Sequence, residues 1–519
     1  EGPVGAAGAL RLEGERLTLS EVSLSTETQA TASLDPAIIA LTASERLTIA
    51  STRLVSTTLG AAPAGALVLS APVLELTALE ALAEARGDAS GDAGNILISG
   101  DTLALSGGNV LTSRAVSRSG LSNAGFITLN LSASLGASAS ILSTSVRGPG
   151  NAGAITVTAP EVSLDRVRLA STSEQAAGLG AFAGSAGQLS VTADTLTLTD
   201  SALATTTAGD EKASPAEITL SATGRLTLTD TELESSTSAA AAAGDLTLRG
   251  ASIDLSNTFV RADSLEQAVG AAGFLSVLAV DAVTLTGDAG TLLSTSSQGA
   301  GQAGDIVVRG NSLRLEGPSA IFSESFGTGA SGTLDLVLGT RLDMLAGTRL
   351  STDARLSQGG NISVETLGSE IFLTGAAIQA SAGAAGAGGD IALKTTFLVL
   401  EDAAVLAEAD AGNGGKIDIF AEAVVPDVFT EISADSNTGN AGVVNIQAPD
   451  IDLNAVITGQ QAQPLVVPAL DLGLCAPGSR SGLRLRLDPL RAPEPVPGAP
   501  LASATHTLPA LAWNCGGQR

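Results

Sequence analysis

One histidine, two cysteines and no tyrosine leave this 519-residue chain few ways to do chemistry. His506 lies in a proline-rich stretch near the end, which removes histidine-based triads and histidine metal sites. Two cysteines, Cys475 and Cys515, do not by themselves complete a zinc site, which takes four ligands. Carboxylates remain, and glycoside chemistry needs two of them facing each other at roughly 5 to 10 Å. Glu401-Asp402 and Glu232/Glu234 are such pairs in sequence. They fall in ordinary strand and turn positions of the pattern described next, without aromatic sugar platforms beside them, so charges on a solvated face are expected. No catalytic residue, cofactor or metal site is therefore expected.

The elements that would position these groups are set by a repeat. The motif Gly-x-[Ile/Leu/Val], or a close variant, recurs at Gly8, Gly65, Gly94, Gly125, Gly153, Gly187, Gly244, Gly273, Gly304, Gly332, Gly360, Gly389, Gly415 and Gly442. Two double-length gaps hold the same pattern with Pro36 and Ala216 in place of the glycine, which makes sixteen anchors. From Gly8 to Gly442 is 434 residues in fifteen steps, about 29 residues each, with single steps of 26 to 34. A period of that length sustained almost end to end indicates a solenoid, a propeller or an array.

Each repeat reads as three short strands. Ile155 and Val157 alternate with Thr156 and Thr158, a period of two that marks a half-buried strand. Nine or ten residues after each anchor comes a second alternation: Val162-Ser-Leu164, Leu196-Thr-Leu198, Leu226-Thr-Leu228, Ile253-Asp-Leu255. A third follows, as in Leu142-Ser-Thr-Ser, Leu169-Ala-Ser-Thr and Leu350-Ser-Thr-Asp. A propeller blade needs four antiparallel strands and about 40 residues, and the asparagine signature of leucine-rich repeats is missing. The fold class expected is all-β: a right-handed parallel β-helix of about sixteen coils, handed as parallel crossovers almost always are and roughly 75 Å long at ~4.8 Å per coil. Residues 1–458 form this repeat domain.

Like residues then stack on like, Leu on Leu in the lumen and hydroxyls along the stack. The anchor glycines are expected at corners that require positive φ. Asn95, Asp245, Asp305, Asn361 and Asp390, which follow anchors, suit turns through local side-chain hydrogen bonds. The Gly-Gly-x-Gly-x-Asp nonapeptide of calcium ladders is absent, and turn chemistry is the simpler reading. The Thr pairs at 197/199, 227/229 and 284/286 are interrupted by Asp254 and Ser256 and followed by Arg314 and Glu316, unlike a flat ice-matching face.

Composition agrees with a narrow lumen: 60 glycines, ten phenylalanines, Trp513 and Met344. Net charge is −27 and the 26 basic residues form no run that could follow a phosphate backbone, so nucleic acid and anionic membranes are poor partners. No stretch of eighteen apolar residues could cross a membrane as a helix. The start at Glu1, without methionine or signal-peptide pattern, is what a processed or excised piece of a longer protein would show.

The segments GDAGNILISGDTLALSG (91–107), GNAGAITVTAPEVSLD (150–165), GQAGDIVVRGNSLRLEG (301–317) and GNAGVVNIQAPDIDLN (439–454) resemble the repeats of filamentous-haemagglutinin-type exoproteins. The likeness covers most of residues 1–458 and is carried by the array rather than any one motif. It implies a secreted or cell-surface adhesin, exported through an outer-membrane partner barrel by two-partner secretion, that contacts a host or neighbouring cell, matrix or glycan. The Asn-Pro-Asn-Gly type motif of that family's secretion domain has no counterpart here, nor does the terminal membrane barrel of an autotransporter. Because β-helices also include lyases and glycoside hydrolases, a polysaccharide-active enzyme is the alternative.

Residues 459–519 break the repeat with prolines at 464, 468, 477, 489, 493, 495, 497, 500 and 509, which exclude a sheet interior. This segment is expected to run across the last coil and hide its open edge. In a surface protein Cys475 and Cys515 are expected to form a disulfide. The 40-residue loop so closed would contribute roughly 3 to 4 kcal/mol. By resemblance the pair helps retain the rod at the cell surface; a staple for the tail is the simpler role. Protein isolated under oxidising conditions should show no free thiol and one cross-linked peptide joining the segments around Leu474 and Trp513. Two titratable thiols would overturn the pairing.

Overall fold

A computed structural model describes residues 8–448, apart from 30–35, 88–89, 117–120, 175–183, 210–212 and 384–385. The expectations for the tail, for Cys475, Cys515 and His506 and for the boundary at 458 lie outside the described residues. Among the described residues every element is a strand, and every strand pairing is parallel. The first two strands of each coil belong to one sheet. In several coils they run on as a single strand with a register shift, as in Leu10–Ser20, which slips between Gly14 and Arg16. The third strands form a second sheet of 15. Val443–Gln447 opens one further coil, so among the described residues fifteen coils have all three strands and a sixteenth begins.

Register follows the repeat. Leu164 pairs with Leu198, Leu198 with Leu228 and Leu228 with Leu255, each one coil on. The inward files predicted from the alternation are buried: Ile155, Leu196, Leu198, Leu226 and Leu228 are fully enclosed, and Leu164 is 2 % exposed. Each such side chain contributes about 1.5 to 3 kcal/mol of burial, and the sum over neighbouring coils holds a stack that has no large globular core.

The anchor glycines are needed for a different reason from the one expected. None of the anchors from Gly65 to Gly442 has positive φ. A Cβ built on Gly153 would instead lie 2.1 Å from the carbonyl oxygen of Gly125 in the coil below; on Gly125 it would lie 2.2 Å from Gly94 O, and on Gly187 2.0 Å from Gly153 O. The file continues through Gly244, Gly273, Gly304, Gly332, Gly360, Gly389, Gly415 and Gly442, each against the anchor carbonyl beneath it. At these glycines backbone stacks on backbone too closely for a methyl unless the neighbouring coil shifts, and two coils carry alanine at the anchor place. In the second coil the stacked residue is Ala37 rather than Pro36, because Ile39 pairs with Leu67 and with Leu10. Ala216 holds its expected place, since Ile218 pairs with Leu189.

Positive φ occurs at the corner between the second and third strands, and mostly without glycine: Glu21, Ser51, Ala78, Ala139, Arg166, Asp200, Asp230, Asn257 and Asp402 have φ of 47 to 55°. In several of these corners the residue just before offers its carbonyl to the buried hydroxyl of the residue just after, as Ala50 O does to Thr52 Oγ1 at 2.9 Å, Ser138 O to Ser140 Oγ at 2.9 Å and Thr229 O to Thr231 Oγ1 at 2.9 Å. The polar residues after the anchors also act differently from the local turns expected. Asn95 Oδ1 accepts from Phe126 N at 3.0 Å, Asp245 Oδ1 from Phe274 N at 2.8 Å and Asp305 Oδ1 from Thr333 N at 2.7 Å, each one coil on.

These two corners respond oppositely to one methyl group. Gly153→Ala should destabilise the chain by about 1 to 3 kcal/mol through overpacking. Ala139→Gly removes a left-handed penalty of about 1 to 2 kcal/mol and adds back about 0.5 to 1 kcal/mol of unfolded-state freedom, so it should be neutral to stabilising. Urea unfolding of both variants checks this; a stable Gly153→Ala would remove the steric account.

Candidate functional site

The carboxylate pairs picked out in sequence do not converge. Glu232 and Glu234 project from Glu232–Thr237, and Glu232 is bound to Arg261 of the next coil at 3.3 Å. Glu401 ends the strand Phe397–Glu401, while Asp402 occupies the left-handed corner with its N–H on Asp427 Oδ2 at 3.1 Å. Thr197 and Thr199 stack on Thr227 and Thr229, then Asp254 and Ser256 interrupt the file.

A different acidic file was missed. Third strands are six or seven residues long in most early coils, as in Ile141–Arg147, but shrink to three from Leu292–Ser294 onward. Beyond the break they touch again through single bridges: Ser264 to Ser297, then Ser325, Ala354, Ala382, Ala409 and Ser436. The residue just before each bridge belongs to one outward file, which reads Asp263, Ser296, Glu324, Asp353, Ser381, Glu408 and Asp435. Two neighbouring pairs, Glu324 with Asp353 and Glu408 with Asp435, are one coil apart, or ~4.8 Å along the stack. In sequence they are 29 and 27 residues apart, and without the register nothing distinguishes them from other surface acids.

The file is held by serines and arginine. Asp263 Oδ1 accepts from Ser296 N at 2.8 Å and Ser294 Oγ at 3.2 Å. Glu324 Oε1 accepts from Arg349 Nη2 at 2.7 Å and Ser351 Oγ at 2.9 Å. Asp353 Oδ1 accepts from Ser381 N at 3.0 Å, and Glu408 Oε1 from Ser433 Oγ at 2.6 Å. Burial pushes the carboxyls of Asp263, Glu324 and Asp353 above the usual carboxylate range, outweighing these hydrogen bonds and the arginines. Around Ser381, Glu408, Asp410, Asp435 and Asn437 the file borders an open depression of about 240 Å³.

Backbone positions one coil apart could bring two carboxyl groups within the roughly 5 to 10 Å that glycoside hydrolysis uses. Acid and base roles, however, require two pKa values pushed apart. Glu324 and Asp353 are moved the same way by the same cause. Among the described residues no three His, Cys, Asp or Glu converge as metal ligands, and no helix is long and apolar enough to cross a membrane. No protein-family model, curated protein or solved structure matches this chain.

A carboxyl whose pKa is raised by folding favours the folded state when protonated, and that contribution is lost as pH rises through the ordinary carboxylate range to the raised native value. Asp353→Asn keeps the Oδ1 acceptor for Ser381 N and removes the buried charge. It should therefore raise the urea midpoint at pH 7 and lose that advantage at pH 4. Destabilisation at pH 7 that disappears at pH 4 would show that the ionised carboxylate itself is required.

Proposed function

We propose that this chain is the repetitive β-helical part of a secreted or cell-surface interaction protein of the filamentous-haemagglutinin type. In this reading it is exported by an outer-membrane partner barrel and makes adhesive contact with cells, matrix or glycan, with no catalytic role. One observation supports the interaction reading above the rest. Inward positions repeat the same chemistry from coil to coil, whereas the outward position between the second-strand aliphatics runs Ser163, Thr197, Thr227, Asp254, Thr284, Arg314, Asp343, Phe372 and Val399. A surface that is regular in spacing and irregular in chemistry suits recognition of an extended partner at many weak points. Fold alone does not assign function, so the family and the export route rest on the repeat resemblance.

The acidic file gives a specific reason to keep the second reading, a β-helical polysaccharide-active enzyme working at Glu324 and Asp353. The two readings separate in one experiment. Fluorescently labelled full chain should be retained on cells, matrix or immobilised glycan, with no reducing or unsaturated ends released from acidic polysaccharides over hours. Release that disappears in Glu324→Gln or Asp353→Asn would replace the adhesive reading with the enzymatic one.

A further inference from the structure

A groove of about 630 Å³ runs along the anchor corner over the coils that begin at Ala37, Gly65, Gly94, Gly125 and Gly153. Its floor is the glycine and alanine backbone stack, which lets the surface sink there. Its one aromatic side chain is Phe126, 43 % exposed. One coil on, the residue in register with Phe126 is Ala154, a single methyl, so no long side chain is stacked there. Thr128 and Thr156, in register with each other, line the groove on the first-strand side.

Beside the ring Asn95 has its acceptor oxygen committed and its donors to spare, while Asp92 uses only one of its two carboxylate oxygens. Asn95 Oδ1 is held by Phe126 N at 3.0 Å, and the Asn95 side-chain amide N–H groups have no partner among the described residues. On the other wall Asp92 Oδ1 takes both Asn123 N at 2.8 Å and Asn123 Nδ2 at 3.0 Å. An exposed ring face, a fixed amide donor, a carboxylate acceptor and two hydroxyls within a shallow groove are the set that recognises a pyranose: C–H groups against the ring, hydroxyls against the amide and carboxylate. The carboxylate of Asp92 and a net charge of −27 disfavour uronates and sulfates. We infer that this groove binds a neutral oligosaccharide, with Phe126 as its platform and Asn95 as its orienting donor. The inference rests on the adhesive reading and names the class of glycan contacted.

Two positions in the same files supply controls. Asp245 and Asp305 occupy the place of Asn95 in later coils and make the same bond to the next coil, so Asn95→Asp keeps the structural contact while it replaces the donor by a charged acceptor. Phe274, five coils on and 36 % exposed, lies beyond the groove and is followed in its file by Asp305 rather than alanine. The test uses the full chain on surfaces bearing neutral hexasaccharides of glucose, galactose, mannose and N-acetylglucosamine, with uronate hexasaccharides alongside. At least one neutral series should be retained, Phe126→Ala and Asn95→Asp should each weaken retention tenfold or more, and Phe274→Ala should leave it unchanged, with circular dichroism of all three as wild type. Retention of no neutral series, retention indifferent to Phe126→Ala, equal loss in Phe274→Ala, or preference for uronates would each overturn the inference. Cell retention that survives Phe126→Ala would sink the groove while leaving adhesion standing.

Discussion

In every described coil but those of Ala37 and Ala216, the stack leaves out a side chain at one position. Where the anchor carbonyl of one coil meets the anchor Cα of the next, the room left for a Cβ is about 2 Å, as at Gly153 over Gly125. The anchor is also where the coil closes. Ser113 Oγ donates to Gly94 O at 2.9 Å and accepts from Gly125 N at 2.7 Å, so one hydroxyl ties its own anchor to that of the following coil. Ser235 and Ser323 repeat the arrangement between Ala216 and Gly244 and between Gly304 and Gly332. A buried hydroxyl with both its donor and acceptor used costs little desolvation. The serine and threonine strings of the sequence therefore close the coil from inside.

Because closure and register are fixed at the lumen and the corners, outward positions are released from structural duty. Charges there are used to reinforce the stacking, as in Arg46 with Glu75 at 2.5 Å and Lys394 with Glu365 at 2.6 Å, each one coil apart. Exposed pairs of this kind contribute about 0 to 1 kcal/mol, so a coil can exchange them for Phe372 or Val399 without threatening the fold. That tolerance is what allows a repetitive frame to present a non-repeating surface.

The same division decides what could be read from sequence. Aliphatic alternation, the anchor spacing and the three strands per coil are local or periodic signals, and Leu196, Leu198, Leu226 and Leu228 are buried as the pattern requires. Positive φ is expected at the glycines because glycine ordinarily marks it. Here glycine answers a contact between residues 26 to 34 apart, while the left-handed corner tolerates Ala139 or Arg166 because a following buried hydroxyl or valine fixes the turn. Pro36 reads as an anchor because it precedes an aliphatic run, and only the pairing of Ile39 with Leu67 moves the place to Ala37. Asp353 and Glu324, Asn95 and Phe126, became neighbours through that register, and a residue list cannot show it.

The short third strands connect the lumen to the acidic file. In the coils of Thr295, Thr352, Ala380, Ala407 and Ala434 the next anchor N–H bypasses any hydroxyl and takes the backbone carbonyl itself, at 3.0 Å for Thr295 and Thr352 and 2.7 Å for the three alanines. Ser323, between two such coils, keeps the hydroxyl link but has the same three-residue strand. In these coils the carbonyl turns inward to the anchor where regular pairing stops, and the ladder resumes at a single bridge. The ladder groups freed at the break are taken up by side chains on the outer surface: Ser296 N goes to Asp263 and Ser381 N to Asp353. Seen this way, part of the acidic file satisfies backbone left over from closing the coil, which accounts for carboxylates that remain buried at an energetic cost. Glu408 and Asp435, beside the open depression, bear less of that duty and are the acids of this face most available to a ligand.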